Sequence, residues 1–255
     1  VSYAQVINES SLFMTAHRTI IVGASSGIGA HLARELAKEG HKLGLVARRL
    51  ELLDELADEL PGDHVTCAAD VTALDTSASF RGLVDQLGGL DAIYYVAGVM
   101  PEVGPDEFNS EKDKLTIDVN TTGLMQWLNP AAEIFLEAGK GSLIAVSSVA
   151  GDRGRRGSPA YGASKAAMNA YMESLRNRLT VHGVHVMTVK PGPVETPMTE
   201  GIEGLPFMVK PDLVAKKIVK AAKGKRNTIY VPGRWRPIMW IIRSIPGFMF
   251  RKMNI

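Results

Sequence analysis

The chain has 255 residues, enough for one large domain with a fully formed core. Hydrophobic residues make up 45% and charged residues 22%, ordinary for a globular protein, and a net charge of +2 is too small to indicate nucleic-acid binding. The lone cysteine, Cys67, excludes an intrachain disulfide framework, and the Cys and His spacings match no metal site.

In chain order, residues 1–13 have neither the basic start nor the apolar centre of a secretory signal and read as a loose extension outside the fold. From residue 14 onward, short apolar, β-branched runs alternate with longer stretches of helical period. The strand candidates begin at Thr19, Lys42, His64, Ala92, Ser142, Val184 and Thr228. Most are continuously apolar, as strands covered on both faces must be. Cys67 lies in one of them and reads as a buried structural thiol. Between the strands run GIGAHLARELAKEG, LELLDELADEL, DTSASFRGLVDQLG, a long stretch around Leu115–Ala138, SPAYGASKAAMNAYMESLRNRLTVHG and PDLVAKKIVKAAKG. Several end in Gly, a common residue just beyond a helix C-terminus. The expected fold is α/β: a doubly wound, seven-stranded parallel sheet of Rossmann type in a single domain spanning residues 14–232, with an amphipathic tail over 233–255.

The first strand runs into VGASSGIGAHLARELA. Gly23, Gly27 and Gly29 lie where a Cβ would block the approach of a pyrophosphate, and the next helix offers free N–H groups and the positive end of its dipole. A tight structural turn would also use these glycines. The second strand ends in Ala47-Arg48-Arg49, with no carboxylate before Glu51. An acidic residue there would bind a ribose 2′-hydroxyl, whereas arginine suits a 2′-phosphate, so the expected cofactor is NADP(H). Two solvated arginines at a helix start are the plainer alternative.

Six elements then occur in order: GASSGIG, AADV at Ala68–Val71, DVN at Asp118–Asn120, Ser148, YGASK at Tyr161–Lys165 and PGPVETPM at Pro191–Met198. Together they resemble the short-chain dehydrogenase/reductase superfamily over nearly the whole chain. The resemblance implies catalysis by Asn120, Ser148, Tyr161 and Lys165. It implies cofactor contacts from Gly23, Ser25, Ser26, Gly27, Ile28, Gly29, Arg48, Arg49, Asp70, Val71, Ala97, Gly98, Tyr161, Lys165, Pro191, Gly192, Val194 and Thr196. It also implies a homodimer or homotetramer. Tyr161 would protonate the developing alkoxide, Ser148 would hydrogen-bond the carbonyl, and Asn120 would hold a relay water. A phenol has a pKa near 10. Lys165, one helical turn from Tyr161, would bring a cation that lowers that value by about 1–3. Val96 stands where the family usually has the Asn of Asn-Ala-Gly, a residue that braces the sheet.

Arg153, Arg155 and Arg156 fall between Ser148 and Tyr161, at the carboxyl ends of the strands. They read either as a solvated loop or as a site for a substrate anion such as phosphate. In the tail, Trp235, Trp240, Ile241, Ile245, Phe248 and Phe250 are interleaved with Arg234, Arg236, Arg243, Arg251 and Lys252. That pattern fits a membrane interface, or packing on a partner subunit or over the active site. The loop and tail together resemble the reductase partners in the epimerisation of decaprenylphosphoryl ribose. The expected substrate is therefore a small-molecule or lipid-linked carbonyl compound, with a 3-oxoacyl or other hydrophobic ketone as the alternative. A non-catalytic NADP-binding protein would be expected to break the catalytic set, which is intact. The expected location is the cytoplasm, with the tail against the inner face of the membrane as one reading.

Overall fold

The computed structural model describes residues 17–253 except 105 and 203, so the expected loose extension over residues 1–13 lies outside the described residues. Seven strands are present: β1 (Arg18–Val22), β2 (Lys42–Ala47), β3 (Val65–Ala68), β4 (Ala92–Tyr95), β5 (Gly141–Val146), β6 (Val184–Pro191) and β7 (Thr228–Val231). They form one sheet in the order β3-β2-β1-β4-β5-β6-β7, and every pairing is parallel. The helices are α1 (Gly27–Lys38), α2 (Leu50–Glu59), α3 (Ser77–Leu87), α4 (Ser110–Ile117), α5 (Gly123–Ala138), α6 (Pro159–Leu179), α7 (Pro211–Lys223), α8 (Trp235–Ser244) and α9 (Gly247–Phe250).

Strand alternation divides the core into two layers. Ile20 and Val22 of β1 face a layer containing Phe80, Leu83, Trp127, Phe135, Met168 and Met172, from α3, α5 and α6. Ile21 faces the other side, where Leu32, Leu36, Leu53, Val214 and Ile218 come from α1, α2 and α7. The edges depart from the continuously buried pattern. At the sheet edge β3 is only partly covered, so Cys67 is half-buried rather than buried as expected. Its thiol pKa is nonetheless raised, chiefly by burial.

The order of strands reverses between β1 and β4, which opens a crevice beyond their carboxyl ends. The β1–α1 turn, the loop after β4, the loop after β5 and the loop after β6 all converge there. The long segment read as continuous around Leu115–Ala138 is interrupted by a π-helical turn at Asp118–Thr122, where Gly123 N–H donates to Asp118 O. Such single turns of wider helix occur often at functional sites.

Candidate active site

The β1–α1 turn is fixed by close backbone approach. Gly23 has φ of +91°, and a Cβ there would lie 2.5 Å from Ala97 N, in the loop after β4. At Gly29 a Cβ would collide with Gly23 O, so this glycine lets α1 enter directly beneath the turn. Ser26 caps α1 in extended conformation without a side-chain bond, and Ala30 N–H is the first to reach back, to Ser26 O at 3.3 Å. The earlier N–H groups of the helix keep their capacity to bind an anion. Thr196 touches the same turn: a Cβ on Gly27 would lie 3.1 Å from its methyl carbon. These contacts form a cradle that side chains would fill, and it fits a dinucleotide's phosphates.

Arg48 and Arg49 leave β2 beside this cradle, both exposed. Arg49 Nη2 lies 3.4 Å from Ser25 Oγ. Asp70 Oδ1 accepts from Thr72 N at 2.9 Å and Thr72 Oγ1 at 2.8 Å. Those hydrogen bonds hold the carboxyl below its ordinary pKa, with a smaller contribution from the Arg48 charge. Val71 and Val194 are buried, while Ala97 and Gly98 line the crevice floor between Gly23 and Asn120.

Asn120 sits fully buried in the π-helical turn. Its Oδ1 accepts from Val99 N at 2.8 Å, and its Nδ2 donates to Val99 O and to Ser164 Oγ, each at 3.0 Å. Both amide hydrogens are thus committed, and the side chain ties the β4 loop to α6. A relay water would find only the remaining Oδ1 lone pair or the main chain of the turn. Ser164, which the sequence reading missed, passes this bond on to Tyr161 O at 2.8 Å.

Ser148 lies two residues beyond β5 and caps a 3₁₀ turn at Val149–Asp152, its Oγ accepting from Ala150 N at 3.1 Å. Tyr161 and Lys165 stand one turn apart on α6. Lys165 is only 3% exposed; its Nζ donates to Val146 O at 3.0 Å and lies 5.8 Å from the Tyr161 ring centroid. Burial brings its pKa from 10.5 down to about 8. The Tyr161 phenol is raised by burial, partly offset by a hydrogen bond with Ser148. This corrects the expectation that Lys165 lowers the tyrosine. Loss of water on burial disfavours the phenolate, and the Ser148 hydrogen bond only partly offsets it.

The arginine loop also differs from expectation. Arg153 Nη1 donates to Ile245 O at 2.6 Å and to Ile242 O, at the carboxyl end of α8, and its guanidinium lies 3.8 Å from the Phe250 ring centroid. Arg156 Nη2 donates to Arg251 O at 3.1 Å. The negative end of the α8 dipole and its free carbonyls attract Arg153, and Arg156 binds the carbonyl just beyond α9, so both guanidinium groups hold the tail. Arg155 is half-buried against Met239, its Nη2 3.6 Å from Sδ. The tail packs on its own chain: Trp235 and Met239 are buried against Val149. Trp235 also lies flat enough on Gly192 that a Cβ there would strike its indole nitrogen.

Behind the Ser148 turn is a cluster that motif reading did not identify. Lys190 Nζ lies 2.6 Å from Asp152 Oδ1, and Tyr230 Oη donates to Asp152 Oδ2 at 2.7 Å. The one available signal was Lys190 itself, a charge at the end of an apolar strand that requires a buried partner.

With this geometry in view, similarity to known proteins is decisive at the family level. The sequence profile described as short chain dehydrogenase matches residues 17–204. The chain belongs to the short-chain dehydrogenase family. It is an oxidoreductase of that family, whose members use a nicotinamide cofactor and small-molecule substrates and often form oligomers. An uncharacterized oxidoreductase of Mycobacterium tuberculosis is 32% identical over 247 residues, 94% of this chain and 98% of that protein. One from Staphylococcus epidermidis is 33% identical over 203 residues, 79% and 87% of the two chains. Among solved structures, a short-chain dehydrogenase from Sphingobium yanoikuyae in complex with NADPH has a TM-score of 0.78 at 27% identity, covering 91% of this chain and 97% of its own.

Proposed function

We propose that this short-chain dehydrogenase is an NADPH-dependent carbonyl reductase acting on an apolar or amphiphilic ketone. The observation that carries this reading is the convergence of Ser148, Tyr161, Lys165 and Asn120 beside a glycine-rich cradle, with Arg48 where an NAD-selective carboxylate would stand. Gly23, Ser25, Ser26, Gly27, Ile28 and Gly29 would hold the pyrophosphate, and Arg48 and Arg49 the 2′-phosphate. Asp70 and Val71 would meet the adenine. Ala97, Gly98, Pro191, Gly192, Val194 and Thr196 would frame the nicotinamide half. The NADPH complex of the Sphingobium yanoikuyae relative supports the choice of cofactor. When bound, the reduced nicotinamide supplies a hydride to the carbonyl carbon.

The residues of this chain manage the proton and the oxygen. Burial keeps the Tyr161 phenol protonated at neutral pH, which suits it to donate its proton to the carbonyl oxygen. Ser148 Oγ hydrogen-bonds that oxygen as charge develops on it. Lys165, mostly charged at neutral pH, then offsets the phenolate left behind. Asn120 positions Tyr161 through Ser164.

A cleft beside Tyr161 is lined by Pro101, Val103, Ala160, Thr116, Ser158 and Asp113. Its carboxylate disfavours an anion placed directly at the reacting end, and Pro101, Val103 and Ala160 suit the apolar flank of a neutral ketone there. A lipid-linked 2-keto sugar, the finer reading drawn from the loop and tail, would have to keep its phosphate clear of Asp113. Following NADPH oxidation with a series of alkyl ketones, with and without a phosphate group, tests the assignment. Rates rising with chain length and falling on adding phosphate near the carbonyl are expected. No turnover of any ketone in the series would refute it.

A further inference from the structure

The tail presents one face that its own chain does not cover. Helix α8 buries Trp235 and Met239, one turn apart, against Val149. On the opposite side Trp240 is 72% exposed and Ile241 57% exposed, and in α9 Phe248 is 61% exposed. Large apolar side chains normally avoid such exposure when grouped. Arg236 and Arg243 lie one turn to either side of Trp240 on the same stripe of the helix. With Tyr230, Pro237 and Trp240 they line an open hollow of about 420 Å³.

Charge sharpens the choice of partner. No Asp or Glu follows Asp212 in the chain, whereas Arg234, Arg236, Arg243, Arg251 and Lys252 all lie in the tail. The carboxylate behind the hollow, Asp152, is already held by Lys190 and Tyr230. The two guanidinium groups of the hollow therefore face solvent with no acidic partner among the described residues. No helix among those residues is long and apolar enough to cross a membrane, so any membrane contact through this segment is at the surface.

We propose that this face docks on an anionic phospholipid bilayer, with Trp240, Ile241 and Phe248 entering the interface and a headgroup phosphate seated between Arg236 and Arg243. Indole and aliphatic side chains suit the boundary between headgroups and acyl chains, and arginine forks suit phosphate oxygens. Because Arg153 joins the carboxyl end of α8 to the loop between Ser148 and Tyr161, docking would place that loop near the lipid surface.

Co-sedimentation of the full chain with vesicles tests the proposal independently of any enzymatic activity. Binding is expected to phosphatidylcholine vesicles containing about one-third phosphatidylglycerol and not to phosphatidylcholine alone, and added salt should weaken it. Each arginine near the surface contributes on the order of five-fold, so Arg236→Gln with Arg243→Gln should weaken binding roughly twenty-five-fold. Trp240→Ser should weaken it about ten-fold and abolish the blue shift of tryptophan emission on binding, because Trp127 and Trp235 are already buried. All three substituted side chains are exposed, so the melting temperature serves as the folding control. Equal affinity for both vesicle types, no binding to either, or variants that bind like the wild type would overturn the proposal. So would a halved mass for Trp240→Ser by light scattering, which would give this face to a second copy of the chain.

Discussion

Lys165 is a buried cation whose Nζ has, among the described residues, only Val146 O and the Met168 sulfur within hydrogen-bonding range, so its protonation should be visible in the stability of the fold. Its pKa falls from 10.5 in water to about 8 in the folded chain. The sign follows directly: between these values the unfolded chain binds more protons, so stability rises with pH through that window. Below about pH 8 the folded state carries the whole penalty, roughly 3 kcal/mol at 1.36 kcal/mol for each pKa unit. Raising the pH from about 7 to about 9.5 should recover about 2 kcal/mol of it. The window avoids the histidines, whose shifts are downward from 6.5, and the buried tyrosines Tyr94 and Tyr95, whose raised pKa values reduce stability only above their ordinary value of 10; Cys67, raised by burial from 9.0, subtracts from the rise near the top of the window in wild type and variant alike. Lys165→Met keeps most of the side-chain volume and removes the charge. It should be about 2 kcal/mol more stable than wild type near neutrality, after roughly 1 kcal/mol for the unpaired Val146 carbonyl. It should show no comparable rise with pH, and it should be inactive. Urea unfolding of both proteins across this range reads the effect. Parallel curves for the two proteins would refute the argument that desolvation governs Lys165.

Three further outcomes test separate parts of the account. Arg48→Asp should weaken NADPH binding by about 1.5–3 kcal/mol, ten-fold or more, and spare or improve NADH binding; fluorescence titration with both dinucleotides measures the ratio. Gly29→Ala would drive a Cβ into Gly23 O, so it should cost stability by thermal melting and abolish dinucleotide binding. Arg153→Ala removes the bonds to Ile242 O and Ile245 O and the stack on Phe250, and should speed tryptic cleavage after Arg243 and Arg251 while leaving the central sheet's melting transition in place.

The sheet was legible because both signals agree in this sequence: apolar runs of strand length, and helical stretches that end in glycine. All seven strand candidates overlap observed strands, and their parallel order follows from the crossovers. The edges were less legible, since a run such as VTCA reads alike in the middle of a sheet or at its edge, and only neighbours decide that Cys67 is half-buried. The π-helical turn under Asn120 has no composition of its own; DVNTT continues the helical pattern on either side. The partners of the arginine loop were not legible, for a physical reason. Its position at the carboxyl ends of the strands suggests a ligand, but helix-end carbonyls from the tail compete for the same guanidinium groups. That contact lies roughly ninety residues away in sequence, and no local spacing encodes it. The direction of the Tyr161 shift was likewise invisible, because helical spacing brings Lys165 near but says nothing of how dry the site is.

In the proposed nicotinamide-dependent reduction Tyr161 delivers the proton, and turnover by Tyr161→Phe measures that role. With NADPH and the best ketone from the alkyl series, the variant should lose at least a thousand-fold in kcat, on the order expected for loss of a positioned acid, while its NADPH affinity stays within a few-fold of wild type. Turnover within a few-fold of wild type would contradict the account, since a phenyl ring in the same place has no proton to give.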